Sequence, residues 1–228
     1  MEVTLRSPVS NIQRRQIHLL HIIVQAPPPR RFEAIRCFDF AAATLSLMVA
    51  AVPIGLIALL IKFDSPGPVF FRQPRIGYDN KVFWIWKFRT MQHAAADLAG
   101  SRLTLRNDPR MTRVGTWLRA LSIDEVPQLL NVLMGNMALV GPRPHPIDAK
   151  AGERLYSDVV PEYPLRHCVR PGLTGWAQVN GWRGETRTAH QIEQRVAHDM
   201  EYIARQSFLF NIVIIVLTLR EIWRQDSF

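Results

Sequence analysis

The chain predicts a mainly α fold with a small β-hairpin, a monotopic membrane protein with a proline-broken, re-entrant helix and interfacial amphipathic segments. Three observations lead there. Residues 40–61 are apolar and uncharged, two aromatic and β-branched runs flank a Gly-Tyr-Asp-Asn turn, and the later periodic segments repeat at helical spacing.

The apolar run comes first because it decides the environment. Its roughly 22 residues match the ~20 that cross a bilayer core as a helix. A core helix of a soluble protein is the alternative, and helices of this length with no polar face are rare there. Pro53 lies mid-run, where it removes a hydrogen bond to Val49 and bends the helix. Arg30, Arg31 and Arg36 precede the run, and Lys62, Arg72 and Arg75 follow it. Near-symmetric positive flanks favour a hairpin whose two ends share the cytoplasmic face.

Ahead of the run, residues 1–31 form a basic head ending in Pro27-Pro28-Pro29, a stiff polyproline linker. No secretory cleavage signal precedes Phe40. After the run, Ser65-Pro66-Gly67-Pro68 is a turn cluster. Val69 to Gln73 and Lys81 to Arg89 then read as hairpin strands around Gly77-Tyr78-Asp79-Asn80. Alternation sets Phe83, Ile85 and Lys87 on one face and Trp84, Trp86 and Phe88 on the other, with Lys87 expected at a solvated rim.

Residues 94–106 lean to helix until Asn107-Asp108-Pro109-Arg110, and residues 114–120 form a short helix or turn. Residues 125–134 follow as a helix with a stripe of Val126, Leu129, Leu130 and Leu133, ended by Gly135. Residues 170–176 read as a loop of small residues compatible with phosphate, and residues 188–205 as a helix with Ile192, Val196, Met200 and Ile203 on one side. Residues 208–219 are apolar but too short to span; with Arg220, Trp223 and Arg224 beyond, they lie at the interface or in the core.

The formal charge of +9 in 228 residues points to a polyanionic partner. Nucleic acid is disfavoured, because the six tryptophans gather beside apolar segments and build no basic stacking platform. Cys37 and Cys168 share no metal-ligand spacing, so any metal is held by oxygen.

The densest chemistry lies in Ser122-Ile123-Asp124-Glu125-Val126-Pro127-Gln128, which leads to Gly141-Pro142-Arg143-Pro144. One reading is helix capping, through a Ser122/Glu125 box or with Asp124 as the N-cap, which leaves Pro127 in the first turn. The other is phosphate chemistry: an ionised Asp124 attacks phosphorus, Glu125 holds Mg2+ together with substrate phosphates, and Arg143 steadies charge on the phosphate oxygens. Spacing leaves both open.

Several segments in consistent order resemble the bacterial sugar transferase family, the monotopic polyprenol-phosphate phosphoglycosyl transferases. They are Arg36-Cys37-Phe38-Asp39, Ser65-Pro66-Gly67-Pro68, Lys87-Phe88-Arg89-Thr90-Met91, Asp124-Glu125-Val126-Pro127-Gln128, Leu139-Val140-Gly141-Pro142-Arg143-Pro144 and Arg170-Pro171-Gly172-Leu173-Thr174-Gly175-Trp176. The resemblance implies transfer of a hexose-1-phosphate from a UDP-sugar to undecaprenyl phosphate, with release of UMP, at the cytoplasmic face of the bacterial inner membrane. In the family this step initiates exopolysaccharide, capsule or O-antigen assembly.

By the same resemblance Asp124 is the nucleophile, Glu125 the Mg2+ partner, and Lys87, Arg143 and Asp199 flank the site. Pro53 matches the helix-breaking proline, although Val52 stands where a serine is common. Residues 175–186 are similar to members that move glucose-1-phosphate. The implied organisation is a head (1–31), a re-entrant helix (32–63) and a catalytic domain resting on membrane lipids (64–228), with a homo-oligomer compatible. Many members carry additional transmembrane helices ahead of this part. A non-catalytic lipid-binding membrane protein and a lipid phosphatase using the same carboxylates are the competing readings.

Overall fold

The computed structural model describes residues 31–93, 108–184 and 186–223. The basic head, the polyproline linker, the helix expected at 94–106 and the Arg224 flank lie outside the described residues.

Helix α1 (Arg31–Asp64) contains the apolar run and stays helical through Pro53. Its length and composition suffice to cross a membrane, and only 6% of its most apolar stretch is buried. A core helix would be mostly covered within the described residues, and this one is not. Ile35, Asp39, Ala43, Ile57 and Ile61 are buried, while Leu45, Met48, Val49, Val52, Leu56 and Phe63 are exposed. An exposed apolar surface of this extent marks a contact with lipid or protein.

Two arginines fasten this helix to the rest. Near its start, Arg36 donates to the carbonyls of Val132 (2.5 Å) and Leu133 (3.0 Å) at the end of a later helix, where carbonyls run short of i+4 donors. Past its end, Arg89 donates to the carbonyls of Ile61 (3.2 Å), Ser65 (2.6 Å) and Pro66 (3.0 Å). Asp64 accepts from the amide of Val114 (3.0 Å) and so caps helix α2 (Arg113–Ala120).

The expected hairpin is present. β1 (Phe70–Ile76) pairs antiparallel with β2 (Val82–Phe88), and Lys87 lies opposite Phe71. Asp79 and Asn80 turn the chain with φ of 56° and 57°, values that Asp and Asn tolerate better than most residues. Phe83 and Ile85 bury against Ala43, Leu129, Val132 and Met137. Phe88 buries on the other face against Ile57, Ile61 and Leu118. Because both hairpin faces are covered near its end, Lys87 is only 16% exposed and is no rim residue.

Residues 123–133 depart from the single helix expected. Ile123–Gln128 is a 3-10 segment, and α3 (Leu129–Leu133) is α-helical. Pro127 supplies no amide, so the tighter turn takes its place before the α geometry starts. Ser122 precedes it at φ 57° and makes no cap through its side chain, and Gly135 ends it at φ 83°.

Asn131, fully buried, joins this segment to the hairpin: its amide accepts from the Trp86 backbone N–H (2.9 Å) and donates to the Trp84 carbonyl (2.7 Å). A side chain thus completes the edge of β2 as a further strand would. Asn131→Leu keeps the volume but strands a buried donor and acceptor. It should cost about 2–4 kcal/mol, read as a melting temperature in detergent lower by more than about 5 °C.

Strand β3 (Ala138–Val140) pairs in parallel with β6 (Gly172–Thr174), which corrects the loop expected at 170–176. Short parallel partners that are distant in sequence leave no local signal. A Cβ on Gly172 would run into the Gly141 backbone, so glycine is required where the two chains cross. Between these strands lie β4 (Lys150–Ala151), β5 (Arg154–Leu155) and α4 (Tyr156–Val159), and α5 (Trp176–Val179) follows β6.

Helix α6 (Ala189–Arg205) is the amphipathic helix expected, opened by a Thr188–Gln191 capping box, with Ile192 and Val196 buried. Helix α7 (Phe208–Trp223) divides the two expectations for it. Ile214 and Asn211 are buried, whereas Leu209, Val213, Val216, Leu219 and Ile222 are exposed.

Candidate active site

A large open cleft runs between the hairpin, the 3-10 segment and the chain after β3, with Lys87, Asp124, Glu125 and Arg143 on its walls. Three local devices deliver them. β2 carries Lys87, the 3-10 turn projects Asp124 and Glu125, and Arg143 stands between Pro142 and Pro144 immediately past β3.

Glu125 is the hub. Lys87 Nζ lies 2.7 Å from its Oε1, and the Arg143 guanidinium forks onto both oxygens, NH1 reaching Oε2 at 3.1 Å. Burial opposes ionisation of Glu125, but Arg143 and Lys87 outweigh it and hold its carboxyl well below the usual range. The same pairs rule out the capping box, since Glu125 faces these cations and Ser122 Oγ accepts from Arg183 (2.7 Å).

Asp124 differs from its neighbour in every respect that matters for chemistry. It is 6% exposed, yet no group among the described residues hydrogen-bonds its carboxylate. Burial pushes its pKa up, Lys87 draws it back, and the Glu125 charge adds to the rise. An unencumbered carboxylate beside a cleft, with its lone pairs free, is equipped to attack an electrophile. Lys87 is itself driven toward its neutral form by burial, with Glu125 opposing.

Asp199 is not brought to the cleft. It is buried in α6, where Arg166 Nε (2.9 Å) and NH2 (2.6 Å) both donate to its Oδ2. Arg166 NH2 also donates to the Arg143 carbonyl (2.8 Å), and Arg75 NH1 to the Pro144 carbonyl (3.2 Å). Asp199 therefore acts through Arg166 to fix the backbone that carries Arg143. His145 packs into the same network, with Nδ1 2.9 Å from the Tyr163 hydroxyl and Nε2 3.2 Å from Arg195. Burial, then Arg166, Arg195, Arg75 and Arg143, hold this imidazole neutral.

Sequence reasoning missed Arg75, Arg119, His145, Arg166, Arg183 and Arg195. Only Arg183 had a local signal, its place between Gly181 and Gly184.

The donor set fits Mg2+ in one way only. Glu125 Oε1 already receives two nitrogens, so it offers one lone pair on Oε2, next to the free Asp124 carboxylate. Among the described residues no group of three His, Cys, Asp or Glu could hold a metal. Two carboxylates suit an ion whose remaining ligands are substrate phosphates and water.

The family model described as Bacterial sugar transferase matches residues 30–225, and the chain belongs to that family. It is 50% identical over 194 residues to a Komagataeibacter xylinus protein named undecaprenyl-phosphate glucose phosphotransferase, a match covering 85% of this chain and 36% of that protein. With the Escherichia coli K12 protein named UDP-glucose:undecaprenyl-phosphate glucose-1-phosphate transferase it shares 49% identity over 81% of this chain and 39% of the other. The Rhizobium leguminosarum exopolysaccharide production protein PSS is 46% identical, over 81% of this chain and 92% of its own length. The chain thus spans less than two-fifths of the first two proteins and nearly all of the third.

Proposed function

We propose that this chain transfers a hexose-1-phosphate, with glucose-1-phosphate the preferred group, from a UDP-sugar to undecaprenyl phosphate in the first membrane step of exopolysaccharide assembly. The observation that carries this reading is the contrast within the carboxylate pair: Glu125 engaged by Lys87 and Arg143 on both oxygens, Asp124 beside it with no hydrogen bond among the described residues. Capping explains neither half of that contrast. The names of relatives at 50% and 49% identity support glucose as the sugar.

In this reading the reaction takes two displacements. Asp124 attacks the sugar-bearing phosphorus, an aspartyl P–O bond forms, and the bond to the bridging oxygen breaks with its electron pair leaving on UMP. An oxygen of the lipid phosphate then attacks the same phosphorus and releases the Asp124 carboxylate, giving a polyprenyl diphosphosugar. Arg143 and Lys87, oriented by Glu125 before substrate arrives, offset charge on the phosphoryl oxygens without reorganising. Mg2+, held by Glu125 Oε2 and the Asp124 carboxylate with substrate phosphates, would supply further charge neutralisation.

The cleft extends from these residues to Phe38, Ala42 and Ser46 of α1 and to Ile215, Leu219 and Ile222 of α7. A polar site that opens toward the exposed apolar faces of two helices suits a substrate with a phosphate head and a hydrocarbon tail. Membrane lipids cover those faces in this reading, with α1 re-entrant at Pro53 and the site on the cytoplasmic side of the inner membrane.

The test is purified protein in lipid nanodiscs with Mg2+, undecaprenyl phosphate and a panel of UDP-sugars, read as UMP release and as radiolabelled lipid product. UDP-glucose should be turned over fastest. No lipid-linked product from any donor would overturn the transferase reading, and inorganic phosphate released from undecaprenyl phosphate in its place would establish the lipid phosphatase.

A further inference from the structure

Within the site as described, charge is balanced before the donor binds: Lys87 and Arg143 face Asp124 and Glu125. A nucleotide sugar adds a diphosphate whose two phosphates are both ionised. One of them is attacked and the other departs, so cations are needed on both sides of the nucleophile.

Two further arginines stand on the Ser122 side. Arg119, near the end of α2, lines the cleft, accepts the Ser122 amide on its carbonyl (3.0 Å) and lies close enough to favour the ionised form of Asp124. Among the described residues, the one hydrogen-bond acceptor of its guanidinium is Met111 Sδ at 3.7 Å, a weak partner. Arg183 reaches the same place from the other side of the cleft, where its NH2 donates to Ser122 Oγ (2.7 Å). Neither arginine pairs with a carboxylate among the described residues.

The loop that presents Arg183 is built. Gly181 (φ 87°) and Gly184 (φ 89°) bracket it in a conformation other residues rarely adopt. The buried Arg195 donates to the carbonyls of Trp182 (2.7 Å) and Gly184 (2.9 Å), and Trp182 packs edge-on against His190. The backbone is thus pinned on each side of Arg183 while its side chain extends over the cleft. A neutral hydroxyl holds that guanidinium less strongly than a phosphate would, so the contact with Ser122 yields when an anion arrives.

We propose that Arg119 and Arg183 form the subsite for the nucleotide-side phosphate of the donor, the group that leaves with UMP when Asp124 captures the sugar phosphate. The assignment rests on the transferase reading and adds the residues that bind the leaving group. An ionised phosphate also comes with the lipid acceptor, and the kinetics separate the two sources.

Arg183→Gln, Arg119→Gln and both lysine replacements are assayed in full-length protein in nanodiscs, with donor and acceptor varied independently. Each glutamine variant should raise KM for the UDP-sugar roughly tenfold to hundredfold and leave KM for undecaprenyl phosphate within about twofold, with partial recovery by lysine. Calorimetric titration of UDP into Asp124→Asn protein supplies a readout without turnover, and adding Arg183→Gln should weaken binding by a similar factor. Arg183 is exposed, so its variant carries the test if Arg119→Gln does not fold. An active variant with unmoved donor KM and UDP affinity overturns the assignment, as does a rise confined to the lipid substrate. A wild-type protein inactive on every donor overturns the transferase reading and the assignment with it.

Discussion

Asp124→Asn should abolish sugar-phosphate transfer, lowering kcat by roughly four orders of magnitude or more, while the protein melts at a slightly higher temperature. The two effects have one cause. Asp124 is almost fully buried, has no hydrogen-bond donor among the described residues and feels the Glu125 charge beside it. Burial raises its pKa above the ordinary aspartate value of 3.8, with Lys87 only partly compensating. For a group whose folded pKa is raised, the stability present at low pH is lost as pH rises through that pKa. At neutral pH the ionised side chain therefore costs stability, and a neutral amide of the same shape recovers about 1 kcal/mol.

The same shift fixes the acid side of the activity profile. Nucleophilic attack needs the carboxylate, so kcat/KM falls as pH drops through a pKa above that of a free aspartate. Glu125, held ionised by Arg143 and Lys87, does not titrate in that window. A profile flat down to the ordinary carboxylate range, or an Asn variant that retains lipid product, would remove Asp124 from the nucleophile's role.

Local pattern announced the hairpin, the amphipathic α6 and the apolar α1, because each buries a face at the period of its own backbone. Pairings between distant segments were not legible. The β3–β6 strands are three residues each, separated by more than thirty positions, and nothing in either run names its partner. Lys87 read as a rim residue because alternation along one strand cannot reveal that Glu125 covers it. Asp199 was expected at the site, but its partner, Arg166, lies 33 residues away in a segment with no distinguishing composition. Among 28 lysines and arginines, only the fold shows which meet a carboxylate and which stay free for a ligand.

Glu125→Gln is the substitution expected to damage both stability and catalysis. Lys87 and Arg143 are 16% and 26% exposed and converge on this one side chain. Removing its charge leaves two largely desolvated cations facing each other. Breaking such a pair costs about 3 kcal/mol, more than loss of either cation, since Lys87→Met or Arg143→Met leaves Glu125 its other partner. Turnover should fall about 100- to 1000-fold, because Arg143 and Lys87 lose the carboxylate that aims them at the phosphoryl oxygens. The acid limb of the residual activity supplies a sharper sign. Without the Glu125 charge, ionisation of Asp124 is no longer opposed by a like neighbour, and Lys87 and Arg143 are freed to favour it. Both changes lower the Asp124 pKa, so the limb moves to lower pH as activity drops. A limb that stays in place or moves upward would mean that Glu125 does not organise the field around the nucleophile.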